Sequence, residues 1–354
     1  MGIAMTDSRH SFSREDRCLL DILGLQKPEW QDVNTTVLWR QATEQRVLPF
    51  LAWHIREHAK SAWSASQVKT ARFVRHAALS SNLKQLALLD RIRAAFDGAG
   101  LEWISLKGPI FTARFYGDLA RRTSFDLDVL VRPTDAHKAD DLLKQVNLHP
   151  SKPLPLHRRP FGLTTHEHKY FCAESGALIE LHLSQADTRY RILPTELAFR
   201  RKTTFVMERG TYPVLSPEDT LMHYGLHGFG HRWDRLNHVL NIACTLRANG
   251  AAWDWDYILA TARSSRKVRP LLWGLALARD YLSAVLPSEV SGQIERDKTL
   301  TSLCRSPLLN DFSNENRLTT AARSLLDKLR GLESARDRFS LMAQACCKGI
   351  RGDF

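Results

Sequence analysis

The sequence predicts an α+β protein in which a small mixed-sheet core sits between an N-terminal and a C-terminal helical region. Three observations lead there. Apolar residues recur three and four apart up to about Gly98, the same period returns after Pro217, and between them short strand-like runs alternate with helices, broken by glycine and proline. The divisions that follow are a helical region over residues 1–98, an α/β core over 99–216 and a second helical region over 217–354.

In the first region LLDILGL, VLWRQATEQRVLPFLAWHIREHA and SNLKQLALLDRIRAAFDGAG carry the helical period, and Gly98 and Gly100 close the last of them. In the core, LEWISL (101–106) reads as a strand. Lys107-Gly108-Pro109 reads as a turn with proline at the first helical position, and IFTARFYG as a short helix. FDLDVLV is a second strand, and TDAHKADDLLKQV a helix capped by Thr134 or Asp135. A Pro- and His-rich excursion follows from about Leu148 to Glu167, with the His166-Glu167-His168 run read as solvated loop. KYFCA and ALIELHL flank Glu174-Ser175-Gly176, which fits a β-hairpin. SPEDTLMHYGLHGFG then opens the second helical region with Ser216 as cap, Pro217 in the first turn and Asp219 at the third helical position; DRLNHVLNIACTLRANG, WDYILATARSS and LLWGLALARDYLSAVL continue it. The last forty residues are too weakly patterned to place, and there is no internal repeat.

Composition bounds the function. With 354 residues and 44% hydrophobic content the chain can bury a sizeable core, so disorder is not expected. Fifty Lys and Arg against 38 Asp and Glu give a net charge of +12, which attracts polyanions such as nucleoside triphosphates, RNA or an anionic membrane surface. The basic residues are spread along the chain without a dense run or aromatic-interleaved motif, so nucleic acid is not the favoured partner. No stretch approaches the roughly 18 apolar residues of a membrane span, and the start lacks the apolar core of a secretory signal; the expected location is the cytoplasm. Six cysteines without C-x-x-C spacing read as reduced thiols.

The segment LKGPIFTARFYGDLARRTSFDLDVLV carries the chemistry. Strand alternation puts Asp126 and Asp128 on one face and Leu127, Val129 and Val131 on the other. Two like charges so placed repel unless a cation lies between them, and hard ions such as Mg²⁺ or Mn²⁺ prefer carboxylate oxygen. ALIELHL supplies a third carboxylate, Glu180, which shares a face with His182; it reaches the pair if the two strands are neighbours, with Glu174 and Asp187 as substitutes. Divalent ions held there would activate an acceptor hydroxyl and neutralise a triphosphate. Lys107, Gly108 and the following helix start are expected to cradle phosphates, and Arg122 to add positive charge unless it pairs with Asp118 or Asp126. His223, His227 and His231 recur at four-residue spacing. A zinc reading is disfavoured, because Gly225, Gly228 and Gly230 argue against continuous helix and no added carboxylate completes the set. His231 and Arg232 are instead expected to hold nucleotide or acceptor at the junction of core and helices.

Taken in order, LKG, YGD, RTSFDLDVLV, IELH and LHGFGHRWDRL resemble the uncharacterised nucleotidyltransferase family of the polymerase-beta-like superfamily, over about Leu101 to Leu246. The resemblance implies a minimal nucleotidyltransferase core, with Asp126 and Asp128 matching the paired metal ligands and Glu180 the third carboxylate. One departure stands out: Lys107-Gly108-Pro109 occupies the place where the superfamily usually has Gly-Ser. The function expected is metal-dependent transfer of a nucleoside monophosphate from an NTP, ATP among the candidates, to a hydroxyl or phosphate of an unknown small-molecule or protein acceptor, with release of pyrophosphate. The alternatives are nucleotidylation of a protein side chain and a non-catalytic nucleotide- or RNA-binding module on the same fold.

Overall fold

Several helix starts follow side-chain caps that supply the acceptors a first turn lacks. In the computed structural model, which describes residues 12–58, 62–152, 167–172, 176–184, 191–250, 252–304 and 325–351, Ser13 opens α1 (Arg14–Leu23) in a capping box with Asp16. Asn34 caps α2 (Thr35–Glu44), α3 (Leu48–His58) follows, and Ser64 with Gln67 forms a second capping box ahead of the 34-residue α4 (Ala65–Gly98). Gly100, with φ +62, ends that helix as the sequence predicts. Glu174, Ser175, Asp187 and His166 fall outside the described residues.

The chain then builds a mixed sheet. Its strands are β1 (Trp103–Ser105), β2 (Asp126–Val131), β3 (Leu148–Pro150), β4 (Glu167–Cys172), β5 (Leu178–His182), β6 (Thr203–Met207) and β7 (Gly210–Val214). Among the described residues they lie in the order β3-β4-β5-β2-β1-β7-β6. The first connection passes through α5 (Pro109–Phe111), which continues as a π-helical turn over Thr112–Tyr116; α6 (Ala136–Gln145) follows β2, and α7 (Thr195–Arg201) precedes β6. One sheet face is the core that alternation predicts: Leu127, Val129 and Val131 with Ile179 and Leu181 pack on Leu86, Leu89, Ile92 and Phe96 of α4 and on Ala139 and Leu143 of α6. On the other face Ile104, Leu106 and Leu130 pack with Ala198, Phe199 and Leu215, which leaves the start of β2 for polar groups.

The second helical region contains α8 (Pro217–Gly230), α9 (Leu236–Asn249), α10 (Trp255–Ser264), α11 (Val268–Leu282), α12 (Ser288–Arg296), α13 (Lys298–Cys304) and α14 (Ala335–Arg351). It shares one apolar cluster with α1, α2 and α3. Arg247 of α9 ties them further by donating to the carbonyl oxygens of Leu23 (3.0 Å) and Leu282 (2.6 Å). No described helix is long and apolar enough to cross a membrane.

Five details depart from the sequence reading. Neither Thr134 nor Asp135 caps α6 with its side chain; the helix instead continues from a 3-10 turn over Pro133–Asp135. The hairpin of β6 and β7 was not anticipated, because β6 is largely exposed and has little apolar alternation to show. Glu167 and His168 belong to β4 rather than to a loop, and His168 is buried opposite Leu181. The glycines of HYGLHGFG do not interrupt α8: a Cβ at Gly225 would meet Leu271 at 2.8 Å, and one at Gly228 would meet the Trp233 ring at 2.1 Å. They are there for close packing. Within the last forty residues, Leu332 and Leu341 join the helical core.

Candidate active site

Strands β2 and β5 run parallel in a register that sets Asp128 beside Glu180 and Leu130 beside His182. Because the odd-numbered residues of both strands enter the core under α4 and α6, alternation turns Asp126, Asp128, Glu180 and His182 to the opposite face. One ligand atom each from Asp128, Glu180 and His182 lies within 4.8 Å of the other two. The Asp128 side chain has no exposed surface, and those of His182 and Glu180 have 4% and 10%.

Buried carboxylates need compensating charge. Lys107, in the turn after β1, brings Nζ to 2.6 Å from Asp128 Oδ2. His182 Nε2 lies 3.7 Å from Asp128 Oδ1 and 3.6 Å from Glu180 Oε2. Lys169, opposite Glu180 in the β4–β5 hairpin, reaches Glu180 Oε1 at 3.0 Å. Burial disfavours the charged form of Asp128, but Lys107 and His182 outweigh it and hold its carboxyl well below the usual carboxylate range. Burial likewise opposes a charge on His182, yet the Asp128 and Glu180 carboxylates lift the imidazole to about 9. Burial, together with the charge of Asp128, pushes Asp126 upward.

The turn that delivers Lys107 depends on Gly108, whose φ of +87 suits glycine and whose Cβ would lie 3.0 Å from Leu127 Cδ2. Pro109 then opens α5. The loop leading into Asp126 is pinned by the polar side of α4: Asn82 Nδ2 donates to the carbonyls of Leu119 and Arg122 (both 2.6 Å) and Gln85 Nε2 to that of Ser124 (2.9 Å). Arg122 donates to Thr112 Oγ1 (3.2 Å) and Ser124 Oγ (3.1 Å). Asp118 pairs with Arg75 (2.9 Å), so the alternative of an Arg122–Asp118 pair gives way to these hydroxyl contacts. From the helical side α8 presents His223, pushed down to about 3 by burial and by the Lys107 charge, and Tyr224, stacked 4.0 Å from Phe111.

Asp126, Asp128 and Glu180 together offer oxygen donors suited to a hard divalent ion. The Lys107 ammonium on Asp128 supplies the positive charge that a metal ion would bring to such a cluster. His182 lies with Asp128 and Glu180 close enough to share an ion, and an ion bound there would displace the imidazole proton. Of the residues predicted from sequence, Lys107, Asp128 and Glu180 come together; Asp126 shares their face but not the close group, in which His182 stands instead, and Arg122 is held by hydroxyls beside it. Arg232 instead sets Nε 3.6 Å from Asp327 Oδ2, and the His231 ring stacks on His238. His182 and Lys169 were not singled out, although counting back from the hairpin turn would have placed Lys169 opposite Glu180.

The profile of the uncharacterised nucleotidyltransferase family matches residues 31–283. The chain belongs to that family. The matched span takes in the Lys107 turn, the carboxylates of β2 and β5 and the junction of α8 and α9. Among solved structures, this nucleotidyltransferase is similar to the solution structure of the antibiotic-resistance factor ANT(2'')-Ia, at 16% identity, covering 52% of this chain and 93% of that chain, with a TM-score of 0.38. No curated protein matches it.

Proposed function

We propose that this nucleotidyltransferase transfers a nucleoside monophosphate from a nucleoside triphosphate to a hydroxyl or phosphate oxygen of an acceptor at the cluster of Asp126, Asp128 and Glu180, with Mg²⁺ or Mn²⁺ and with release of pyrophosphate. The observation that carries the reading is the β2–β5 register, Asp128 against Glu180, on a face where these two buried carboxylates meet His182 and Asp126 stands two residues before Asp128 on the same strand. A divalent ion held by the three carboxylates supplies Lewis acidity toward the triphosphate and acceptor oxygens. Lys107, whose ammonium lies on Asp128, would offer that charge to the phosphates at the turn that Gly108 makes. Arg122, held by Thr112 and Ser124, adds charge that favours the pyrophosphate as it leaves. Glu180 orients the acceptor and receives its proton while the acceptor oxygen bonds to the α-phosphorus and the bond to the bridging oxygen breaks. Arg232, committed to Asp327, is left out of the nucleotide site.

The test is pyrophosphate release from each of the four ribonucleoside triphosphates with Mg²⁺ or Mn²⁺, with cell extract as the source of acceptor and Asp126→Ala/Asp128→Ala as the control. Release that requires extract and disappears in the variant supports the reading. Equal release by the variant, or none from any triphosphate, sinks it.

A further inference from the structure

Between α8 and α9 the chain reverses in a turn that two bulky residues make unfavourable. Arg232 and Trp233 have φ of 58° and 55°, in the left-handed region that residues with a Cβ avoid. The buried Trp233 ring holds the turn in place, filling a slot where a Cβ at Gly228 would lie 2.1 Å and one at Gly274 2.4 Å from it. The result is a set of side chains that the spacing of His223, His227 and His231 does not reveal. His231, just past α8, stacks on His238 of α9 with ring centroids 4.9 Å apart and planes 11° apart. His227 lies 4.7 Å from His231 and 5.4 Å from His238. His238 Nε2 is 3.2 Å from Asp234 Oδ1. One ligand atom each from His231, Asp234 and His238 falls within 4.8 Å of the other two. The buried Nδ1 atoms of His227 and His238 find no hydrogen-bond partner among the described residues.

A four-residue spacing accounts for Asp234 with His238, but not for a second imidazole laid parallel against His238 from beyond the end of α8. We infer that His231, Asp234 and His238 form a binding site for a first-row transition-metal ion of the Zn²⁺ class. Two imidazole nitrogens and one carboxylate oxygen suit Zn²⁺ and its neighbours, whereas Mg²⁺ and Ca²⁺ take oxygen sets like that on β2 and β5. Three protein ligands leave a fourth position for water. His231 and Asp234 are exposed, so the ion enters from solvent. Bound there, it clamps the end of α8 to the start of α9 and offsets the strain of the turn. The inference is independent of the nucleotide site.

The experiment uses the full chain carrying Asp126→Ala/Asp128→Ala, so that the carboxylate cluster contributes little, and measures Zn²⁺ alone by dialysis with elemental analysis and by competition against a chromophoric chelator. We expect one Zn²⁺ retained per chain, with His231→Ala and His238→Ala each weakening binding by at least about tenfold. Urea melts without metal, compared with the parent, establish that each variant is folded. No retained Zn²⁺ in the parent, or undiminished retention in His231→Ala, Asp234→Ala and His238→Ala alike, overturns the site.

Discussion

Asp128 stays ionised with no exposed side-chain surface because Lys107 lies 2.6 Å away. Removing one partner of such a pair strands the other. Lys107→Met should therefore cost about 3–5 kcal/mol of stability without divalent cation, and saturating Mg²⁺ should recover part of that loss by replacing the ammonium; urea melts with and without MgCl₂ measure both. A variant as stable as the parent without cation would show that Asp128 does not depend on Lys107. The aspartate pair was legible because strand alternation needs only one run of sequence. The ion pair was not: the direction in which Lys107 leaves its turn depends on Gly108 packing against Leu127, a contact no periodicity encodes. Lys107 reads from sequence as a phosphate ligand, and the structure gives its ammonium a partner before any phosphate arrives.

Elements were legible where one period ran long enough to count. The second half of α4 and the β4–β5 hairpin were of that kind, and the hairpin is what sets Glu180 beside Asp128 once β5 pairs with β2. The glycines of α8 read as breakers because their cost to an isolated helix is about 1 kcal/mol each, and the sequence does not show Trp233 and Leu271 claiming the space they leave. Two substitutions of the same kind should therefore differ in sign. Gly228→Ala drives a methyl into the Trp233 ring and should destabilise by about 1–3 kcal/mol, as overpacked cores do. Gly98→Ala, with nothing within 4 Å of its Cβ at the end of α4, should stabilise by roughly 0.4–1 kcal/mol through the unfolded chain. Equal shifts in the denaturation midpoints of the two would remove the packing account of α8.

At the scale of the whole molecule, the two helical regions that sequence separates at residues 98 and 217 share one core, and α4 both roofs the sheet and pins the loop before Asp126. Local pattern cannot report such long-range contacts. A chain beginning at residue 99 should consequently lack cooperative unfolding, because the faces of α8, α9 and α11 that meet α1 and α3 would be bared; a sharp two-state thermal transition in that fragment would contradict it. The net charge of +12 attracts a triphosphate from any side, so binding alone does not locate the site. The most direct measurement is the stabilisation of the intact chain by Mn²⁺ with a non-hydrolysable triphosphate, compared with Asp126→Asn/Glu180→Gln. The protein with all its carboxylates should gain about 2.7 kcal/mol at a triphosphate concentration near 100 Kd, and the variant should gain little. An equal gain in the variant would place the triphosphate away from β2 and β5 and contradict the account.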